Sequence, residues 1–158
     1  MSSSTSTKSH RAVMSSSDEE TRSLARSLGV HLKPGDWVAL VGELGTGKTQ
    51  FVQGLAEALQ CRDVPSSPTF ALVQIHGSKG GAHRFPLRHV DLYRLADKDL
   101  FSLEWEDLSD DNGVTVVEWA DKVRSLWPSR SVQVRLSHQG ENRRLVEARI
   151  DGQPIRED

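Results

Sequence analysis

Cysteine is almost missing from this chain: Cys61 stands alone among 158 residues. An internal disulfide and a cysteine metal cluster within one chain are thereby excluded, which suits a reducing compartment. Charge of one sign is not in excess either, since 20 basic and 22 acidic residues leave a net charge of -2. Nothing in the composition coats the protein for nucleic acid, so any such contact is local or made through a partner. Long apolar runs are also lacking. None approaches the roughly 20 residues that a membrane-spanning helix needs, and the polar N-terminus lacks the apolar centre of a secretory signal. The expectation is a soluble, cytoplasmic protein with no membrane contact. A chain of this length holds one domain with a sizeable core and is too short for two ordinary ones.

What is present is a phosphate-cradling pattern. Gly42 to Thr49 reads GELGTGKT and fits G-x-x-x-x-G-K-[ST]. Its glycines let the backbone turn with positive φ, so that main-chain N–H groups can point at an anion. Gly42, Glu43, Leu44, Gly45, Thr46 and Gly47 are the candidate cradle; Lys48 supplies a point charge to the β and γ phosphates, and Thr49 offers a hydroxyl to magnesium. The flanks agree. Trp37 to Val41 is a continuous apolar run, as expected of a strand covered on both faces, and Phe51, Val52, Leu55, Ala56 and Leu59 follow at helical spacing.

Around this motif the chain divides into a Ser/Thr-rich leader over 1–11, expected to be disordered, and a single domain over 12–155. Ala12 to Met14 reads as a short strand, Ser17-Asp18-Glu19-Glu20 as a capping box, and Gly29 as the end of the helix it opens. Val64 to Phe70 sets two prolines among hydroxyl residues; spacing alone favours a proline-stiffened loop over a switch that senses a γ phosphate. His89 to Tyr93 reads as a strand with Asp91 at its end. His89 and Asp91 have the spacing of a metal pair, on thin support. Asp97 to Leu108 predicts a short helix with Leu100, Leu103 and Leu108 turned inward. Val114 to Val117 reads as a second buried strand ending in Glu118, where a phosphate-loop protein wants a carboxylate for magnesium. Ser131 to Ser137 and Arg144 to Ile150 alternate across Gln139 to Asn142 as an antiparallel hairpin, and Arg143, Arg144 and Arg149 make it locally basic, either as a solvated strand face or as a phosphate or RNA contact.

Four landmarks then stand in order: GELGTGKT, SPTF at Ser67 to Phe70, HVDLYRL at His89 to Leu95, and VVEWAD at Val116 to Asp121. Together they resemble the TsaE family, over roughly Ala12 to Ile150. Its members are small bacterial ATPases needed to make threonylcarbamoyladenosine beside the anticodon of tRNAs that read codons starting with A. The resemblance implies an α/β, three-layer P-loop NTPase fold with a mainly parallel central sheet and a C-terminal antiparallel hairpin. It also implies ATP and Mg2+ as cofactors, slow hydrolysis by the chain alone, and TsaD-like and TsaB-like partners that it resets between turnovers. tRNA is then met indirectly, through the complex.

Position by position, the resemblance makes Lys48 the phosphate residue, Thr49 and Glu118 the magnesium residues, and Asp91 the acid needed for hydrolysis. Ser67, Pro68, Thr69 and Phe70 become the switch, against the preference from spacing. Ser15, with the loop that follows it, and the final hairpin would border the adenine. Leu103-Glu104-Trp105 departs from the glycine-containing turn of relatives, which bears on docking rather than on ATP. Two rivals remain: a small-molecule kinase, for which no helical lid is evident, and a nucleotide-dependent binding module that does not hydrolyse.

Overall fold

The computed structural model describes residues 10–43, 45–61, 73–77, 85–103, 105–106, 112–128 and 131–149. In chain order these form β1 (His10–Ser15), α1 (Asp18–Gly29), β2 (Trp37–Gly42), α2 (Lys48–Ala58), β3 (Val73–His76), β4 (Leu87–Asp91), β5 (Val114–Glu118), β6 (Val132–His138) and β7 (Arg144–Arg149). Two 3₁₀ segments, Asp97–Ser102 and Ala120–Leu126, flank β5 in the chain. The leader before His10 and the residues after Arg149 lie outside the described part, and β1 starts two residues ahead of the expected Ala12.

The strands make one sheet in the order β1-β7-β6-β2-β5-β4-β3. β4, β5, β2 and β6 run parallel at its centre. The edges are antiparallel: β3 on β4, and β7 joining β6 to β1. This is the expected α/β fold, with its parallel centre and antiparallel C-terminal hairpin.

Alternation along the strands sorts two cores. On one face Val38, Leu40, Val116, Val134 and Leu136 are buried against Ala25 of α1 and Phe51, Val52 and Leu55 of α2. On the other, Trp37, Ala39, Val90 and Val117 are buried with Leu100 and Val123 of the 3₁₀ segments. Truncating Leu55 to Ala would cost about 2 to 5 kcal/mol, the usual range for emptying such a site.

Ser17 caps α1 by accepting from the Glu20 N–H at 3.1 Å, and the Glu20 carboxylate accepts from the Ser16 N–H at 2.6 Å. The two helices touch closely because a Cβ on Gly54 would stand 2.3 Å from the Arg22 carbonyl oxygen. Arg26 pairs with Glu19 within α1 and with Glu57 of α2, and the second pair ties the two helices across the surface.

One element differs from expectation. Asp97 to Leu108 is not an α-helix: it winds as 3₁₀ only to Ser102, and Leu103 is extended at φ -71, ψ 148. The Trp105 indole N–H donates to the Leu100 carbonyl at 2.9 Å, taking an acceptor that a continuing helix would have used. Leu100 is buried and Leu103 packs beside it, as expected, while Leu108 lies outside the described residues.

Candidate nucleotide site

The apolar run of β2 ends at Gly42, and within six residues the chain has turned into α2. Thr46 is buried and stiffens the turn, its hydroxyl donating to the Glu43 carbonyl at 2.7 Å. Gly47 then stands at φ +99, in the left-handed region, as the residue before the helix. The N–H groups of the first turn of α2 face out of the helix without partners inside it, so this end carries positive potential. Lys48 is buried, and its Nζ donates to the carbonyls of Gly42 at 2.5 Å and Glu43 at 2.8 Å. The same Nζ lies 4.4 Å from the centre of the Trp119 ring.

Sheet register brings the acids to this loop. Leu40, Glu118 and Asp91 stand side by side on β2, β5 and β4, at the carboxyl ends of parallel strands and on the helix-covered face. In open α/β sheets that rim is where ligands bind. Glu118 is buried, and its Oε2 lies 2.5 Å from Nε2 of a fully buried His89. Asp91 is half-buried, and its Oδ1 accepts from the Tyr93 N–H at 3.0 Å. The loop after Asp91 is pinned by Lys122, whose ammonium donates to the carbonyls of Leu92, Tyr93 and Leu95 at 3.0, 3.2 and 3.3 Å.

Burial holds the Lys48 ammonium below its usual range, while Glu118, Asp91, Asp121 and Glu43 push the other way. Burial raises the Asp91 carboxyl; the Tyr93 N–H lowers it, and the neighbouring Glu118 raises it again. The strands thus set several hard oxygens around one ammonium. Trp119 completes the wall in a strained conformation, at φ +60 and ψ 37, which a bulky side chain seldom adopts. Its ring also meets Tyr93, with centroids 5.0 Å apart.

Lys48, Asp91 and Glu118, widely spaced in the chain, are therefore brought to one rim, and Thr49 follows Lys48 in the first turn of α2. Leu44 and the Ser67, Pro68, Thr69 and Phe70 segment lie outside the described residues. Ser15 is fully buried, and its hydroxyl is engaged internally with the Ser17 carbonyl at 2.9 Å and the Thr21 hydroxyl at 2.8 Å. Its link to the loop is indirect. Arg144 of β7 donates to Thr21 at 3.2 Å and to Asp18 at 3.1 Å, and its Nη1 would stand 3.3 Å from a Cβ at Gly47. His138 of β6 likewise comes within about 4 Å of the Cβ position of Gly45.

His89 is not half of a metal pair with Asp91: it bonds to Glu118 on the next strand, and among the described residues no cluster of three His, Cys, Asp or Glu forms a metal cage. The donors still fit magnesium, which takes one or two carboxylates and leaves its remaining positions to water and substrate phosphates. The bond from His89 and the placing of Arg144 were not foreseen from the sequence. The alternation of His89 with Asp91 was a usable signal that both face one way; the reach of Arg144 depends on pairing between distant strands.

A groove of about 500 Å³ opens beside the loop on the other face of the sheet, between Glu43, Asp121, Arg124, Arg135 and Glu147.

The sequence profile of the family described as "Threonylcarbamoyl adenosine biosynthesis protein TsaE" matches residues 15–146. The chain belongs to the TsaE family. Among relatives, it is 36% identical over 133 residues to the tRNA threonylcarbamoyladenosine biosynthesis protein TsaE of Bacillus subtilis, covering 81% of this chain and 78% of that one. It is 43% identical over 117 residues to the protein of the same name from Streptomyces coelicolor, covering 69% and 74%. The crystal structure of the Bacillus protein YdiB superposes with a TM-score of 0.73 at 27% identity, over 90% of this chain and 86% of that one. The match runs from the last residue of β1 into the first half of β7, so the loop, both acidic strand ends, β6 and Arg144 all lie within the TsaE-family region. Among the described residues no helix is long and apolar enough to cross a membrane.

Proposed function

We propose that this TsaE-family chain binds ATP with Mg2+ at the rim of β2, β5 and β4, hydrolyses it slowly alone, and serves tRNA threonylcarbamoyladenosine biosynthesis. The observation that carries this reading is the convergence of Lys48, Asp91 and Glu118 on one buried rim beside the helix that follows a phosphate loop. Thr49 and Glu118 are the residues that would hold Mg2+. When bound, Mg2+ supplies neutralising charge to the phosphate oxygens. Lys48 adds its ammonium, and the loop N–H groups stabilise charge that grows as the γ phosphate is transferred. Asp91, with its carboxyl raised by burial, is the group that orients the attacking water. The Trp119 ring covers the ammonium, and Tyr93 packs on Trp119.

Cytoplasmic TsaD-like and TsaB-like proteins are the proposed partners, with tRNA met through them; the TsaE-family chain uses nucleotide turnover to reset that pair. A slow intrinsic rate follows if the partner completes the placing of Asp91, because a misplacement of about 1 Å can cost a hundredfold. The test is release of labelled phosphate from γ-labelled ATP, with and without the purified partner pair and tRNA. Stimulated release of inorganic phosphate is expected. Label found on an acceptor molecule would instead make the chain a kinase, and no release even with the partners present would make it a binding module.

A further inference from the structure

We propose that His89 is a positioning residue for Glu118, fixing the carboxylate through Oε2 so that Oε1 is the oxygen turned to the nucleotide's cation. The inference rests on the Mg-ATP reading above and adds to it a residue that need not touch nucleotide or metal.

The placement follows from register. His89 lies opposite Val116, and Glu118 is two residues further along β5, so both project from the helix-covered face of adjoining parallel strands. The imidazole Nε2 and carboxylate Oε2 meet at 2.5 Å, the short end of hydrogen-bond distances. His89 is fully buried and Glu118 is 3% exposed, so no solvent competes for that oxygen. Among the described residues no hydrogen bond to Oε1 is found, which leaves that oxygen for the rim.

A buried carboxylate without a donor carries a large desolvation penalty, and an imidazole N–H relieves it. An arginine or lysine in this place would bring a permanent positive charge and cancel the negative field that a cation needs; an imidazole can donate while neutral. Side chains that hydrogen-bond a metal-binding group set its orientation and basicity, and their loss typically costs about 10- to 100-fold in metal affinity or activity. β4 thereby serves the rim twice, offering Asp91 itself and, two residues earlier on the same face, the residue that aims the acid of its neighbour.

The alternative is that His89 only fills the core. Two variants of the full-length chain separate the readings. His89→Phe keeps a ring in the cavity and removes the donor, while His89→Gln keeps an amide N–H near the position of Nε2. Mn2+ serves as the probe, its binding followed by electron paramagnetic resonance in the presence of a non-hydrolysable ATP analogue; affinity for the analogue is measured separately in chelator. His89→Phe is expected to weaken Mn2+ by about tenfold or more, with affinity in chelator unchanged, and His89→Gln to recover most of the loss. Wild-type Mn2+ affinity in a folded His89→Phe chain overturns the proposal, and so does a His89→Gln chain no better than His89→Phe.

A third measurement needs no variant and covers the case in which His89→Phe does not fold. In protein labelled with 15N-histidine, the His89 Nε2–H resonance is expected to shift when Mg2+ joins the bound analogue; an unmoved resonance overturns the proposal. Failure of wild-type protein to bind the analogue at all would sink the Mg-ATP reading beneath it, an outcome distinct from binding that is indifferent to His89.

Discussion

The parallel centre of the sheet and its antiparallel wing meet the phosphate loop from different sides, and they bring opposite chemistry. From the centre, β4 and β5 end in Asp91 and Glu118. From the wing, β6 and β7 bring His138 toward Gly45 and Arg144 against Gly47. One wall is acidic and suited to a cation; the other offers donors to anionic oxygens. A triphosphate carrying magnesium needs both, because the metal and the phosphates have opposite charge and must be held at the same time. The difference teaches that the two walls should fail in distinguishable ways.

The acidic wall should show the larger effect. Glu118→Gln keeps the size of the side chain and removes its charge, and it is expected to reduce magnesium-dependent phosphate release by up to about a hundredfold while leaving nucleotide affinity in chelator within a few-fold of wild type. Steady-state assays at varied Mg2+ check this. Unchanged magnesium-dependent turnover would remove Glu118 from the site and erase the contrast between the walls.

On the other wall, Arg144→Ala should weaken nucleotide by about tenfold, equally with and without Mg2+, since a hydrogen bond to a charged group contributes about 1.5 to 3 kcal/mol. Calorimetry reads it directly. A loss confined to the magnesium-containing titration would mean that the wing belongs to the metal side.

The smallest effect concerns the stability that the acidic wall gives up. The folded chain holds the Asp91 carboxyl above its ordinary 3.8, chiefly through burial, so the native state keeps this proton longer than the unfolded chain does. The stabilisation that follows is fully present below pH 3.8 and is lost as the pH rises through the raised value. Asp91→Asn keeps an acceptor for the Tyr93 N–H and should therefore raise Tm by a few degrees at pH 7, with the gain shrinking toward zero as the pH falls to that of an ordinary aspartate. Thermal melts across that range check the sign. A variant less stable at neutral pH would mean that Asp91 supports the fold rather than straining it.

Legibility from sequence followed the same division. The centre could be read because its signals are local: an apolar run before GELGTGKT, helical spacing after it, and a buried strand ending in an acid at Glu118. Asp91 needed the HVDLYRL resemblance, since a strand-end carboxylate has no local mark. The wing was visible as a locally basic hairpin, yet the reach of Arg144 to Gly47 was not, because it depends on the pairing of β7 between β6 and β1. The partner of His89 was not legible for a related reason. It lies on another strand, and spacing along one strand cannot show a bond across two. The short helix expected from Asp97 is a 3₁₀ turn that stops at Ser102, where a tryptophan three residues beyond takes the Leu100 carbonyl. The strain at Trp119, a non-glycine residue at φ +60, had no sequence signature at all.

The central claim is that the loop between these walls holds a magnesium-bound triphosphate through Lys48, and titration calorimetry of ATP into the full-length chain and its Lys48→Ala variant tests it most directly. In buffer with Mg2+, the wild-type chain should bind one ATP per chain, and Lys48→Ala should weaken that binding by about a hundredfold or more. Equal affinity in the two proteins, or no binding by wild type, would contradict it.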